Sequence, residues 1–156
     1  MQLFIYDNTL IILKNTYLLY YNIVENSGMS VVSAFNKHFM ELIDDICSVF
    51  PDDIDILSAK NSFIAIKKMN PKLLIKSWDM FVVAKYKKEI ENGDISYFLE
   101  KDYAQDLVES PDSKRIIEAI DRLRVPIRNM GDENQTKILK YMQNLSKLTT
   151  MFNQQG

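Results

Sequence analysis

The two residues best suited to nucleophilic chemistry are His38 and Cys47, and each is the only one of its type in the chain. A Cys–His dyad needs the imidazole within hydrogen-bonding reach of the thiol, so that it can take the proton. The apolar spacing around them predicts a single helix. At about 100° and 1.5 Å per residue, they fall on opposite faces of it and roughly 13 Å apart along its axis. No dyad forms in that geometry, and each reads as an ordinary buried or half-exposed residue.

Other chemistries fare no better. Zinc sites in their common forms need several Cys or His ligands. Asp52, Asp53 and Asp55 resemble the opening of a calcium loop, but Leu57 and Ser58 stand where that loop needs an oxygen ligand and a glycine. Gly93 and Gly131 stand alone, so there is no Gly-rich phosphate cradle. No cofactor is implied and the expectation is a protein that is not an enzyme. A site of distant carboxylates would have to gather several of Asp44, Asp45, Glu89, Asp94 and Asp102.

The elements that would position these residues are helices. Only four Gly and four Pro occur in 156 residues, too few for the many turns of a sandwich or barrel. Phe35, Phe39, Leu42, Ile46 and Val49 draw one apolar stripe, which Pro51 stops. The acidic turn Asp52–Asp53 suits a helix N-terminus, and Lys67 and Lys68 suit its end. Asn70-Pro71 predicts a new start, with Asn as cap and Pro as first helical residue. Leu74, Trp78 and Phe81 follow, with Ile75, Val82 and Tyr86 beside them. Gly93 breaks the chain, and one or two short helices are expected over 95–108.

Ser110-Pro111 repeats the cap-then-Pro signal. The stripe Ile116, Ile120, Leu123, Ile127 and Met130 contains Pro126, which predicts a kink or break over 122–125. Asp132 to Gln135 has the form of a capping box before the last helix. The expected fold is all-α: a single compact bundle of five to seven helices over 29–152, with a disordered tail at 153–156.

Residues 1–28 look unlike the rest, with no Ala and no Arg and many Leu, Ile, Tyr and Asn. They lack the basic start and small-residue cleavage site of a signal peptide. Lys14, Asn15 and Asn22 interrupt any membrane span. Two readings remain: an extension packed on the domain, or translated upstream sequence of an A+T-rich genome with Met29 as the natural start. The lone cysteine excludes an intramolecular disulfide and fits a reducing compartment.

A net charge of -2 hides blocks of alternating sign. Residues 29–57 carry -5, 58–88 carry +7, 89–112 carry -7 and 113–156 carry +4. The candidate docking face is the basic block: Lys67, Lys68, Lys72, Lys76, Lys85, Lys87 and Lys88, around Trp78. It reads in three ways: as a face for an acidic protein, as a phosphate-binding face for nucleic acid, or as helices that neutralise their acidic neighbours. Arg124 and Arg128 share a face at i, i+4, while Arg122 points about 160° away from Arg124. The total charge offers no general attraction to nucleic acid.

Two stretches carry a likeness: Ser33-Ala34-Phe35-Asn36-Lys37-His38-Phe39, and Lys68-Met69-Asn70-Pro71-Lys72-Leu73-Leu74-Ile75-Lys76-Ser77-Trp78. With the Glu91-Asn92-Gly93-Asp94 break and the Tyr141-Met142-Gln143-Asn144-Leu145 helix, the chain resembles a small family of uncharacterised proteins from giant nucleocytoplasmic DNA viruses. The resemblance spans about Met29 to Phe152 and transfers no catalytic residue. It implies a viral protein in the cytoplasm of an infected cell, in the virus factory or the virion, with viral or host proteins as partners. The sequence leaves homo-oligomerisation open.

Overall fold

Ser30 opens the first helix, α1 (Val31–Val49), by accepting the Ser33 backbone N–H on its side-chain oxygen at 3.1 Å. The computed structural model describes residues 30–100 and 111–155. Both readings of residues 1–28, the expectation for the rest of the 95–108 segment, and the Ser110 cap lie outside the described residues. Pro51 ends α1 as predicted, and the Phe50 N–H closes its last turn on Ile46 O. The Asp53 carboxylate then caps α2 (Ile54–Met69), accepting from Asp55 N at 2.9 Å and Ile56 N at 3.1 Å. Lys67 and Lys68 occupy the last turn of α2, where cations meet the negative end of the dipole.

Asn70 is not the N-cap of the next helix, as predicted, but the C-cap of α2. The next helix starts later, with Lys72 at its N-cap and no side-chain capping bond. The Asn70 N–H bonds back to Ile66 O, which closes α2. Its side-chain oxygen accepts Lys72 N, and its carbonyl accepts Leu73 N, both at 3.1 Å. Pro71 and Lys72 are therefore used up in reversing the chain, and α3 (Leu73–Trp78) begins after them.

The chain then stays helical through a π turn, Asp79–Val83, into α4 (Ala84–Glu91). The Ala84 N–H reaches five residues back to Asp79 O, the mark of the wider coil. This turn has a packing reason. Leu74, Trp78, Val82, Tyr86 and Ile90 step by four, and all are buried except half-buried Tyr86. In a straight α-helix such a row swings about 40° per step, so Ile90 would end about 160° from Leu74. The π turn rotates the chain less per residue and returns the row to the core. Tyr86 (φ -127, ψ 17) departs from helical geometry and adds a second adjustment.

Gly93 (φ 83) takes the left-handed conformation that ends α4. Asp94 N bonds to Glu89 O at 2.8 Å and Gly93 N to Ile90 O at 3.1 Å, which completes the termination. Asp94 then caps α5 (Ser96–Glu100) through Ser96 N at 3.0 Å. Pro111 is the first residue of α6 (Pro111–Arg128).

Three expectations are corrected near the C-terminus. First, of the kink or break expected over 122–125, the break does not occur: α6 remains helical through Pro126 to Arg128. Pro126 lies in the last turn, so its missing N–H costs one bond near an end that frays anyway. Second, Asp132–Gln135 is not a capping box. Gly131 O accepts Gln135 N, which makes Asp132 the first residue of α7 (Asp132–Gln155). The Gln135 side chain turns back to the carbonyls of Ile127 and Arg128, both at 3.2 Å, and satisfies the open end of α6. Third, α7 runs to Gln155, so residues 153–155 are helical and not a disordered tail.

The helices share one hydrophobic core, and the fold is all-α, with no strand among the described residues. Arg122 and Arg115 of α6 reach Ser58 and Met69 of α2, which fixes these two helices as antiparallel. α1 lies against α7, and the α3–α4 run bridges α1, α2 and α7. At the junction, Phe39 meets Phe63 edge-on at 4.8 Å, and Trp78 stands edge-on to Phe35 at 6.3 Å. The indole N–H of Trp78 donates to Ser146 Oγ at 3.2 Å and ties the bridge to α7. No helix among the described residues is long and apolar enough to cross a membrane.

Candidate docking face

The π turn that holds one row in the core holds its opposite outside. Lys72, Lys76, Met80, Ala84 and Lys88 also step by four, and every one is exposed. Lys85 and Lys87 are exposed beside them, and Lys68 is exposed at the end of α2. Lys67 is set apart: it is half-buried and lines an open groove of 560 Å³ with Pro71, Ser33, Asn36, Lys37 and Met40 among others. The seven lysines therefore divide into a row with its flanks and one residue turned toward α1.

Among the described residues, neighbouring charge blocks neutralise each other in part on α1, α2 and α6. Lys60 meets Asp44 at 2.8 Å, and Arg122 lies 3.9 Å from Asp55. Among the described residues, Lys68, Lys72, Lys76, Lys87 and Lys88 have no carboxylate within 4.0 Å. The arginines serve the fold. Arg124 and Arg128 both donate to Leu99 O, at 3.1 and 2.6 Å, while Arg122 bonds Ser58 Oγ at 2.7 Å on the other side. The i, i+4 pairing read from the sequence anchors α5 to α6.

His38 and Cys47 face different neighbours. His38 packs on the Tyr141 ring of α7 at 4.8 Å, with Nδ1 3.3 Å from Glu41 Oε2. Burial holds its imidazole below its ordinary pKa, against the opposing pull of Glu41. The Tyr141 hydroxyl donates to the Asp45 carboxylate. Burial, then that carboxylate, pushes the phenol well above its usual range. Cys47 is half-buried, and burial raises its thiol above its ordinary pKa. The Lys60 charge pulls it down and the Asp44 charge on its own helix pushes it up, both less than burial does. The proposed carboxylate set is dispersed too. Asp44 and Asp45 are engaged on α1 and Asp94 caps α5, while Asp102 lies outside the described residues.

Two features escaped the sequence reading. Asn36 is 6% exposed and donates to Pro71 O at 2.8 Å, which pins the turn between α2 and α3. Met69 and Met80 are 66% and 48% exposed beside the lysines. Their only sequence signal was the step of four from Lys76 to Met80. Fold and site together define an all-α bundle with a lysine-rich outer helix row. Compared with known families, characterised proteins and solved structures, the chain matches none.

Proposed function

We propose that this chain is a non-enzymatic docking protein that engages an acidic protein surface through the exposed row Lys72, Lys76, Met80, Ala84 and Lys88. The observation that carries the reading is the row itself, cationic toward its ends, apolar in the middle and kept outside along its whole length. An acidic helix with apolar residues at matching turns complements it in charge and in contact area. Nucleic acid fits less well. A duplex presents charge evenly, about one phosphate per 1.7 Å, whereas Met80 and Ala84 leave two successive turns of the row without a cation. The resemblance to giant-virus proteins suggests the virus factory or the virion as the setting.

The test is fluorescence anisotropy with two probes, a synthetic helical peptide of Glu and Leu and a short DNA duplex. The peptide is expected to bind, and Lys72→Glu with Lys76→Glu and Lys88→Glu to weaken it by about tenfold or more. Duplex binding with a steep salt dependence, and no peptide binding, would overturn the reading in favour of a nucleic-acid factor.

A further inference from the structure

The length of α2 separates two unlike ends of the molecule. At its start, Asp52, Asp53 and Asp55 surround Ile54, which is 80% exposed, with Val49 and Leu57 at 39% and 42%. At its finish, Lys68, Lys72 and Lys76 accompany Met69, and the lysine row carries Met80 further along. The 16 residues of α2 put these ends about 24 Å apart. The charges alone have a local reason, since acids suit a helix start and lysines its end. The exposed apolar side chains do not, Met69 apart, whose sulfur meets Arg115. Four of the seven large hydrophobics that are exposed among the described residues sit at these two ends, and a fifth, Met80, lies on the lysine row. Arg122, 3.9 Å from Asp55, is a counter-charge at the acidic end, but it leaves Asp52 and Asp53 without a cation within 4.0 Å among the described residues.

One end is acidic and apolar and the other basic and apolar, so they complement each other but are too far apart to meet within one chain. We infer that the occupant of the lysine row is a second copy of this chain, which docks head to tail with the acidic end of its α2. This rests on the docking reading above and gives that face its partner. The two surfaces differ, so the contact is heterologous. It leaves one free end of each kind, and addition continues into an open chain unless the rotation closes a ring.

Sedimentation of the full chain over a range of concentrations and salt tests this. Mass is expected to rise with concentration at low salt and to fall back at high salt. Lys72→Ser with Lys76→Ser breaks the basic end, and Asp52→Ser with Ile54→Ser breaks the acidic end. All four positions are exposed, and circular dichroism checks the fold. Each double variant alone should associate at least about tenfold more weakly, about 1.4 kcal/mol. An equal mixture should form a one-to-one dimer that grows no further, because one intact end of each kind remains. Should a double variant misfold, the milder Lys76→Gln and Ile54→Thr should each still weaken association. A wild-type chain that stays monomeric overturns the inference, as does a mixture that fails to pair. If that monomer still binds the acidic peptide, the docking reading stands and only the choice of partner falls; if it binds neither, both fall.

Discussion

The seam between α1 and α7 and the outer row of α3–α4 both carry charged side chains, yet those charges end in opposite places. In the seam, His38 meets Glu41 and Tyr141 donates to Asp45, so the polar groups hold the chain to itself. In the row, Lys72, Lys76 and Lys88 meet no carboxylate among the described residues. Partially buried polar groups that find partners stabilise a fold, whereas exposed lysines contribute almost nothing to it. A charge that does little inside the molecule is free to act outside it, and this separates the row from the seam as a place for function.

The largest test of this contrast concerns the π turn, which keeps the two rows of one helix run apart. Deleting Ser62 from the middle of α2 rotates Phe63 and Ile66 by about 100° and should cost more than about 4 kcal/mol, read as loss of cooperative unfolding. Deleting Met80 should let the π turn relax to α geometry, and it should cost only about 1–2 kcal/mol. Equal costs for the two deletions would remove the packing account of the turn.

Smaller effects probe the seam. Tyr141→Phe removes the bond to Asp45 and should destabilise by about 1 kcal/mol in urea titration. His38 has a folded pKa below its unfolded value, so protonation favours the unfolded chain. Its contribution is complete above pH about 6.5 and is lost as the pH falls from there toward the folded value. The melting temperature should therefore drop across that window, and the drop should be shallower in His38→Gln. Smallest of all, Lys76→Ser with Lys88→Ser should change stability by less than about 0.5 kcal/mol while weakening the acidic peptide. A large loss of stability would make the row part of the fold.

The helices and most of their ends were legible in the sequence because their signals are local. Pro51, Asp53, Gly93 and Pro111 act through φ, a missing N–H or a side chain that caps its own turn. The opposed faces of His38 and Cys47 and the pairing of Arg124 with Arg128 were legible for the same reason, since helical rotation fixes them. Pro126 and Gln135 were misread because position and partner decide what they do. Pro126 fell in a last turn, and Gln135 found carbonyls of the preceding helix instead of its own N-terminus. Of the candidate site, the sequence determined which lysines exist and that they cluster along the chain. It took the packing of the helices to turn Lys67 toward α1 and to set Lys72, Lys76 and Lys88 in one outer row. The reason is the core: a buried row stepping by four had to stay packed on α1, α2 and α7, and the π turn that allowed this set the opposite row as well.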